Sequence, residues 1–454
     1  MTAPLDVIVL AAGEGKRMNS DLPKVLQPVG GRPMLAHLLD AVFALDPAAV
    51  HCVVGAGAGQ VRETLADPRI RWVEQTRRLG TGHATLQAMP GVSQPGRVLV
   101  VPGDTPLVSV DTLRAVVEDP AGLALVSFMP SDPTGYGRIL RDTEGGVVGI
   151  REEKDADERQ RAIGEVNSGI LCADSELLAG WLDRLGNDNA QGEYYLTDCI
   201  GLAAADRVAV SASPASDPEE LLGANNRRQL AELEACWQAR AAGRLMDAGV
   251  TLADPASLCV RGPVRAGRDV FIDRNVVLEG SVELGDRVRL DTGCVLTDCV
   301  LAAGTRVRPY SVLEGVRTTG ACEIGPFARL RPGTELAEGA KIGNFVETKN
   351  AWLAAGAKAS HLTYLGDAEI GPRANIGAGT ITCNYDGASK HRTRIGQDAF
   401  IGSNSALVAP VDVGDGATVG AGSVVSGQAP AGELTLARAR QKTIPGWTRP
   451  QKKS

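Results

Sequence analysis

The sequence predicts two domains of different construction, an open Rossmann-like α/β sheet followed by a parallel β-helix of hexapeptide repeats. Three observations predict it. Short Val-rich runs alternate with helical patterns up to about residue 225, apolar residues then recur every six positions from Val264, and 54 of the 454 residues are glycine, against a usual share of about 7%. A chain of this length also exceeds the roughly 250–300 residues at which a single core stops growing.

In the first half, Asp6–Leu10, Ala49–Val54, Arg97–Val101 and Leu123–Phe128 are short apolar runs bounded by Gly or Pro, as buried strands of a mainly parallel sheet are. Met34–Leu45 and Val61–Leu65 between them carry the apolar spacing of helices. In such sheets ligands gather at the carboxyl ends of the strands. The segment Asn226–Ala248 is rich in Ala, Leu, Glu, Gln and Arg and lacks proline, which predicts one long helix. The expected domains are therefore 1–225, a connecting helix at 226–249, and 250–454.

Beyond the helix, Val264, Val270, Val276, Val282, Val288, Cys294 and Val300 fall at six-residue intervals. After a one-residue slip, Leu301, Val307 and Leu313 continue. The register restarts at Ile324, Leu330, Leu336 and Ile342, again at Ile370 and Ile376, and finally from Ile395 to Val425. Six steps of about 100° leave a helix roughly 120° out of phase, so no helix keeps this stripe on one face. A coil with three short parallel strands per turn does. Glycines after the aliphatic position, as in Ile342-Gly343 and Ile401-Gly402, suit tight corners. Breaks at 314–323, 349–369 and 383–394 are read as interruptions that become loops, and the tail 428–454 has lost the period.

Charge and composition exclude other classes. Lys+Arg 47 against Asp+Glu 54 gives a net charge of −7, which argues against a nucleic-acid binder. No run approaches the roughly 18 apolar residues of a membrane span, and Met1–Asp6 lacks a signal-peptide pattern; a cytoplasmic protein is expected. The nine cysteines are scattered, without Cys-x-x-Cys pairs, so reduced, packing cysteines are expected.

Chemistry-bearing residues cluster in both halves. Leu10-Ala11-Ala12-Gly13-Glu14-Gly15-Lys16-Arg17-Met18 follows the first strand; small residues there let backbone N–H groups approach phosphates, and Arg17 and Lys24 supply positive charge. A plain strand-to-helix turn explains that loop alone equally well. Pro102-Gly103-Asp104 ends a buried strand in a carboxylate at the sheet rim, where an oxygen-seeking cation such as Mg²⁺ would sit. In the second half, residues 344–350, 358–367 and 383–390 form the densest polar cluster of the chain. His361 there suits a general base, because its ordinary pKa of about 6.5 lies near working pH, and Glu347 is expected to orient its ring.

The run L-A-A-G-x-G-x-R-M with Pro23-Lys24, Gln75 with Gly80-Thr81-Gly82-His83-Ala84, Gly103-Asp104, Thr134-Gly135-Tyr136-Gly137-Arg138, Glu152-Glu153-Lys154-Asp155, Asn167-Ser168-Gly169 and Gly223-Ala224-Asn225-Asn226 together resemble nucleotidyltransferases acting on sugar 1-phosphates. Joined to hexapeptide repeats, the chain resembles the bacterial bifunctional N-acetylglucosamine-1-phosphate uridyltransferase / glucosamine-1-phosphate acetyltransferase family over nearly its whole length. The resemblance implies a Rossmann-like nucleotidyltransferase domain followed by a left-handed parallel β-helix. It implies UTP and sugar contacts at Leu10, Ala11, Ala12, Gly13, Arg17, Lys24, Gln75, Gly80, Thr81, Pro102, Gly103, Asp104, Gly137, Glu152, Asn167 and Asn225, with Mg²⁺ on Asp104 and Asn225.

In the acetyltransferase half it implies His361 and Glu347 as catalytic. Arg331, Lys349, Tyr364 and Asn375 would bind the sugar phosphate, and Ala378, Asn384, Tyr385, Ser403, Ala421 and Arg438 would line the acetyl-CoA site. The family's tail carries Pro where this chain has Arg440. A homotrimer with sites shared between neighbours, small-molecule substrates, no nucleic acid and no membrane span complete the expectation. Two alternatives are weighed: a single-activity nucleotidyltransferase whose β-helix only oligomerises, which leaves the polar residues at 344–390 unexplained, and a non-catalytic nucleotide-sensing scaffold, which has no need of Asp104 or Asn225.

Overall fold

The structure, a computed structural model, describes residues 3–55, 57–450 and 452. Two compact units divide between Trp237 and Gln238. In the first, the sheet runs Val210–Pro214, Leu123–Phe128, Val166–Asp174, Arg97–Pro102, Leu5–Ala11, Ala49–Val54, Ile70–Glu74, with the hairpin Arg138–Arg141 and Val147–Arg151 joined to Val166–Asp174. All pairings along the main run are parallel except those of Val166–Asp174, which is antiparallel to both neighbours. The four expected strands are present. Val7 and Val9 enter one core and Ile8 the other, all fully buried, so both faces are covered, as parallel sheets require. The expected helices are Met34–Phe43 and Ala58–Thr64.

The long helix is Arg227–Asp247. Leu233 packs into the cluster of Met18 and Met34 in the first unit, whereas Ala241, Ala242 and Leu245 are buried in the core of the second. The expected connector is thus divided between two cores.

The second unit is a parallel β-helix whose sides stack coil on coil. One inward ladder runs Ile272, Leu290, Val307, Ile324, Ile342, Ala359, Ile376, Ile401, Val419, and all nine residues are buried. Each side also buries a second residue two positions earlier, such as Val270 before Ile272. The slip read at Val300–Leu301 is a side one residue short between Leu296 and Leu301, so Cys299, not Val300, turns inward.

Two of the three expected interruptions are absent. At 314–323 and 349–369 the inward positions include Thr318, Ala351, Ala357, Ala359 and Thr363, all buried; small or hydroxylated residues hid an unbroken coil. Several inward hydroxyls are satisfied locally, as by Thr334 Oγ1 donating to Arg331 O at 2.7 Å, whereas the buried Thr393 Oγ1 has no partner. Only the third break leaves the coil, where Thr382 and Ile395 lie 13 positions apart. The expected loss of period sets in after Thr435 rather than at 428. Leu434–Thr435 pairs with Thr418–Val419, adding one more strand to the stack; residues 451, 453 and 454 of that tail lie outside the described residues.

Most glycines after the aliphatic position serve contact rather than backbone angle. A Cβ on Gly343 would stand 1.9 Å from Ser360 O of the next coil, so only a hydrogen fits between coils. Gly343→Ala should therefore destabilise the second unit by about 1–3 kcal/mol through overpacking, whereas Gly427→Ala, with open space around its Cβ position, should change little; chemical denaturation of the two variants checks this.

Candidate active sites

In the first unit, strands Leu5–Ala11, Ile70–Glu74 and Arg97–Pro102 deliver Gly13, Gln75 and Asp104 to their carboxyl ends around a cavity of ≈ 490 Å³. Of the residues implied by resemblance, Leu10, Ala12, Gly13, Lys24, Gln75, Gly80, Thr81, Pro102, Asp104, Glu152 and Asn167 line it. Ala11 is buried at the strand end beneath, and Gly103 N donates to Leu10 O at 2.9 Å, stitching the two strand ends together. Gly137 O accepts from Asn167 N at 2.8 Å. Arg17 is exposed on the short turn Lys16–Met18, outside the cavity wall; the left-handed residues Gly15 and Asn19 bound that turn.

Lys24 Nζ donates to Asp104 Oδ2 at 2.5 Å and to Asn225 Oδ1 at 3.1 Å. One positive group already draws together a carboxylate oxygen and an amide oxygen more than a hundred residues apart. That donor set fits a hard divalent cation, which takes few protein oxygens and fills the rest with water and phosphate. Among the described residues no group of three or more His, Cys, Asp or Glu gathers elsewhere as a metal centre.

Gln75 is buried and its Nε2 donates to Gly80 O at 3.1 Å, beside His83 Nδ1 at 3.0 Å, which fixes the amide edge it presents. Gly80 sits at φ 104°, where a Cβ would meet Tyr194 O at 2.5 Å. This close approach brings Glu193, Leu196 and Thr197 into the wall, and no sequence signal near residues 75–81 could have announced them. Arg78 and Glu14 also line the cavity and form an ion pair; the Arg77-Arg78 pair beside Gly80 was the signal available for Arg78.

Burial pushes the Glu152 carboxyl above its ordinary value, opposed by Thr197 Oγ1 donating to Oε1 at 2.8 Å and aided by Asp198 and Asp155. Because the folded state disfavours the charged form, ionisation costs stability above the raised value, and the cost is absent below the unfolded-chain value near 4.5. Glu152→Gln should therefore raise the Tm of the first unit at pH 8, with the gain shrinking as pH falls towards 4; thermal unfolding across pH checks it, and a pH-independent difference would contradict the assignment.

In the second unit, Asn344, His361, Ala378, Ser403 and Ala421 each precede a residue at positive φ, namely Phe345 (56°), Leu362 (49°), Gly379 (75°), Asn404 (54°) and Gly422 (73°). They form one corner column, joined by bonds such as Leu362 N to Asn344 O at 3.0 Å and Asn404 N to Ala378 O at 2.8 Å. The corner thus places His361 above a run of Ala, Ser and Ala, whose small side chains leave room along the edge. Arg438 Nη1 donates to Ala421 O at 2.6 Å at its end.

The ring partner of His361 is Asn344, not Glu347. Nδ1 lies 2.6 Å from Asn344 Oδ1; with the amide oxygen as acceptor the proton sits on Nδ1, leaving Nε2 free to accept one. Glu347 pairs in register with Tyr364 on the next side, whereas His361 pairs with Asn344, and its Oε1 accepts from Arg331 Nη1 at 3.0 Å. That side also carries Lys349, whose pKa is lowered first by the neighbouring Lys390 and then by Arg331. The Tyr364 hydroxyl and Asn384 Nδ2 approach each other over Gly366, where a Cβ would stand 2.4 Å and 2.8 Å from them.

Asp367 accepts from Asn350 and from Asn384, the latter at 2.5 Å. Burial raises its pKa, but these amides, Lys390 and Lys349 outweigh it and hold the carboxyl low. Tyr385 is exposed on the loop at 383–394 that leaves the coil, its hydroxyl donating to Gly387 O at 2.6 Å. Asn375 pairs with Lys358 on the other side of the corner, so a single chain does not aim it with Arg331, Lys349 and Tyr364. Asn344, Asp367 and Lys390 are the members that residue-by-residue reading left without a role.

A cluster of cations on one side of the β-helix, His361 on a corner lined by small residues, and a nucleotide-sized cavity with a lysine-bridged carboxylate define the class: a nucleotidyltransferase joined to a hexapeptide-repeat acyltransferase. Comparisons agree with that division. Residues 7–252 match the family described as MobA-like NTP transferase domain, and residues 263–298 and 392–426 match the hexapeptide repeat of succinyl-transferase. Bifunctional protein GlmU of Stenotrophomonas maltophilia strain K279a is 56% identical over 455 residues, covering 100% of both chains. That of Alkalilimnicola ehrlichii is 56% identical over 451 residues, covering 99% of this chain and 97% of the relative, and that of Xanthomonas axonopodis pv. citri is 55% identical over 455 residues, covering 100% of both. The chain belongs to the bifunctional GlmU family.

Proposed function

We propose that the first unit uses UTP, N-acetylglucosamine 1-phosphate and Mg²⁺, that the second uses glucosamine 1-phosphate and acetyl-CoA, and that acetylation comes first. As a member of its family, the chain is a two-activity enzyme, a glucosamine-1-phosphate N-acetyltransferase and N-acetylglucosamine-1-phosphate uridyltransferase. The observation that carries the reading is the meeting at the strand ends of Lys24 and Asp104, which line the cavity, with Asn225, which Lys24 also holds.

In uridylyl transfer, a phosphate oxygen of the sugar phosphate attacks the α-phosphorus of UTP. The bond from that phosphorus to the bridging oxygen breaks, and the electron pair leaves on pyrophosphate. Gln75 presents its fixed amide edge to the uracil, Glu152 and Asn167 hold the sugar, and Lys24 neutralises phosphate charge. Asp104 and Asn225 would hold Mg²⁺, which supplies further neutralisation of the phosphates. Positioning and charge supply the catalysis, so no covalent nucleophile is needed.

In acetyl transfer, the amine nitrogen of glucosamine 1-phosphate attacks the thioester carbonyl carbon. His361 Nε2 accepts the amine proton and the carbon–sulfur bond breaks, releasing the CoA thiolate, which is protonated. Arg331, Lys349 and Lys390 crowd like charges together, as the depressed Lys349 reflects, and a phosphate dianion relieves that repulsion. Ala378, Ser403 and Ala421 give the pantetheine arm its edge, with Asn384, Tyr385 and Arg438 around it. Glu347 serves by holding Arg331.

The placement of Asn375 on a different side from Arg331, Lys349 and Tyr364 supports acetyl sites completed by neighbouring copies in a cyclic homotrimer. Among the described residues no helix is long and apolar enough to cross a membrane, and none of the nine cysteines is in a disulfide; burial pushes Cys52, Cys199 and Cys294 up to about 12, so they stay protonated packing groups. A cytoplasmic enzyme making a sugar nucleotide accords with both.

Asp104→Ala should abolish Mg²⁺-dependent pyrophosphate release while acetylation persists; loss of both in a folded protein would refute separate sites. His361→Ala should lower acetylation by roughly 10²–10⁴-fold and spare uridylyl transfer, and a near wild-type rate would remove the base assignment. The order is tested with glucosamine 1-phosphate and acetyl-CoA. Thiol release without UTP, followed by pyrophosphate only after UTP and Mg²⁺, is expected. Pyrophosphate from pre-acetylated sugar phosphate without any thiol release would leave one activity and make the β-helix a scaffold.

A further inference from the structure

Carboxylates outnumber cations in the wall of the uridyltransferase cavity. Its wall carries Glu14, Asp104, Glu152 and Glu193 but only two cations, Lys24 and Arg78. Lys24 is held by Asp104 and Asn225, and Arg17 stands outside the wall. Arg78 is the remaining cation at the cavity, and Glu14 occupies it through an ion pair. Glu14 lies on the glycine loop that follows the first strand and also pairs with Lys16 at 2.7 Å. Arg78 lies on the loop ending at Gly80, anchored where Tyr194 N donates to Leu79 O at 2.7 Å. The pair therefore bridges the two loops that would flank the nucleotide, and both side chains remain partly exposed, 39% and 33%.

We propose that Arg78 is a further phosphate-binding residue of this cavity, and that Glu14 occupies its guanidinium until the triphosphate displaces the carboxylate. The inference rests on the uridyltransferase reading. A guanidinium matches phosphate oxygens as well as carboxylate oxygens, two at a time, so exchanging one anion for the other needs no rearrangement of the fold. The electron pair that leaves the α-phosphorus ends on pyrophosphate, and Arg78 takes up part of that charge beside Lys24. Glu14 competes with the incoming phosphates for the same cation and repels them.

The two partners then have opposite effects, which a merely structural ion pair would not produce. Steady-state kinetics of the full chain with UTP, Mg²⁺ and N-acetylglucosamine 1-phosphate tests this. Arg78→Ala should raise KM for UTP about fivefold or more, Arg78→Lys should fall between it and wild type, and Glu14→Gln should lower KM for UTP. KM for the sugar phosphate and the rate of CoA release from acetyl-CoA should stay within about twofold in all three. Both substitutions raising KM for UTP alike, neither changing it, or an equal rise in KM for the sugar phosphate would each overturn the proposal. Wild-type protein that releases no pyrophosphate from UTP would instead overturn the uridyltransferase reading on which it rests.

Discussion

The hydrogen bonds between successive coils, Leu362 N to Asn344 O and Gly379 N to Leu362 O at 3.0 and 2.9 Å, decide which side chains of the second unit can act together. Parallel stacking repeats a position every 17 or 18 residues along a side, as in Leu290, Val307, Ile324 and Ile342. A corner column therefore gathers residues that are remote in sequence, and the Ala, Ser and Ala that follow His361 along the edge are neighbours for this reason alone. The same constraint separates Glu347 from the ring it was expected to orient. Two residues on adjacent sides of a coil face different directions however close they are in the chain.

Parallel pairing also organises the first unit. Strands Leu5–Ala11 and Arg97–Pro102 run side by side in register, so the residues just past their ends, Gly13 and Asp104, reach the same rim. The apolar strands bury both faces and leave only the rim for polar chemistry. Lys24, Asp104 and Asn225 meet there at the cost of partial desolvation, which their mutual hydrogen bonds offset. Glu152 lacks such compensation beyond Thr197 and its pKa rises accordingly. The cavity thus holds carboxylates in two states of relief, one paired with a cation and one pressed towards neutrality.

Legibility varied with the kind of signal. Short, almost wholly apolar strands, such as Ala49–Val54 and Leu123–Phe128, appear with the expected bounds, because burial on both faces leaves no ambiguity. The β-helix was legible through its large inward residues and became invisible where Thr348 and Ala359 take those positions, since a hydroxyl or a methyl also fits the narrow interior. In the site, glycine-rich and charged motifs marked Gly13, Lys24 and Asp104. The wall contributed by Glu193 and Thr197 had no local mark. It exists because Gly80 lets the backbone of Tyr194 approach.

The sequence by itself determined the two periods, and with them an α/β unit followed by a coil, because apolar spacing is set by backbone geometry and survives without knowledge of neighbours. It also marked the residues able to carry phosphate and acyl chemistry. Only the tertiary structure decided partnership. It gave His361 to Asn344, Glu347 to Arg331, and Arg78 to Glu14, and it placed Arg17 outside the cavity. These are distances between groups on different strands, loops and coils, fixed by register and by close backbone approach, and spacing along the chain carries no measure of them.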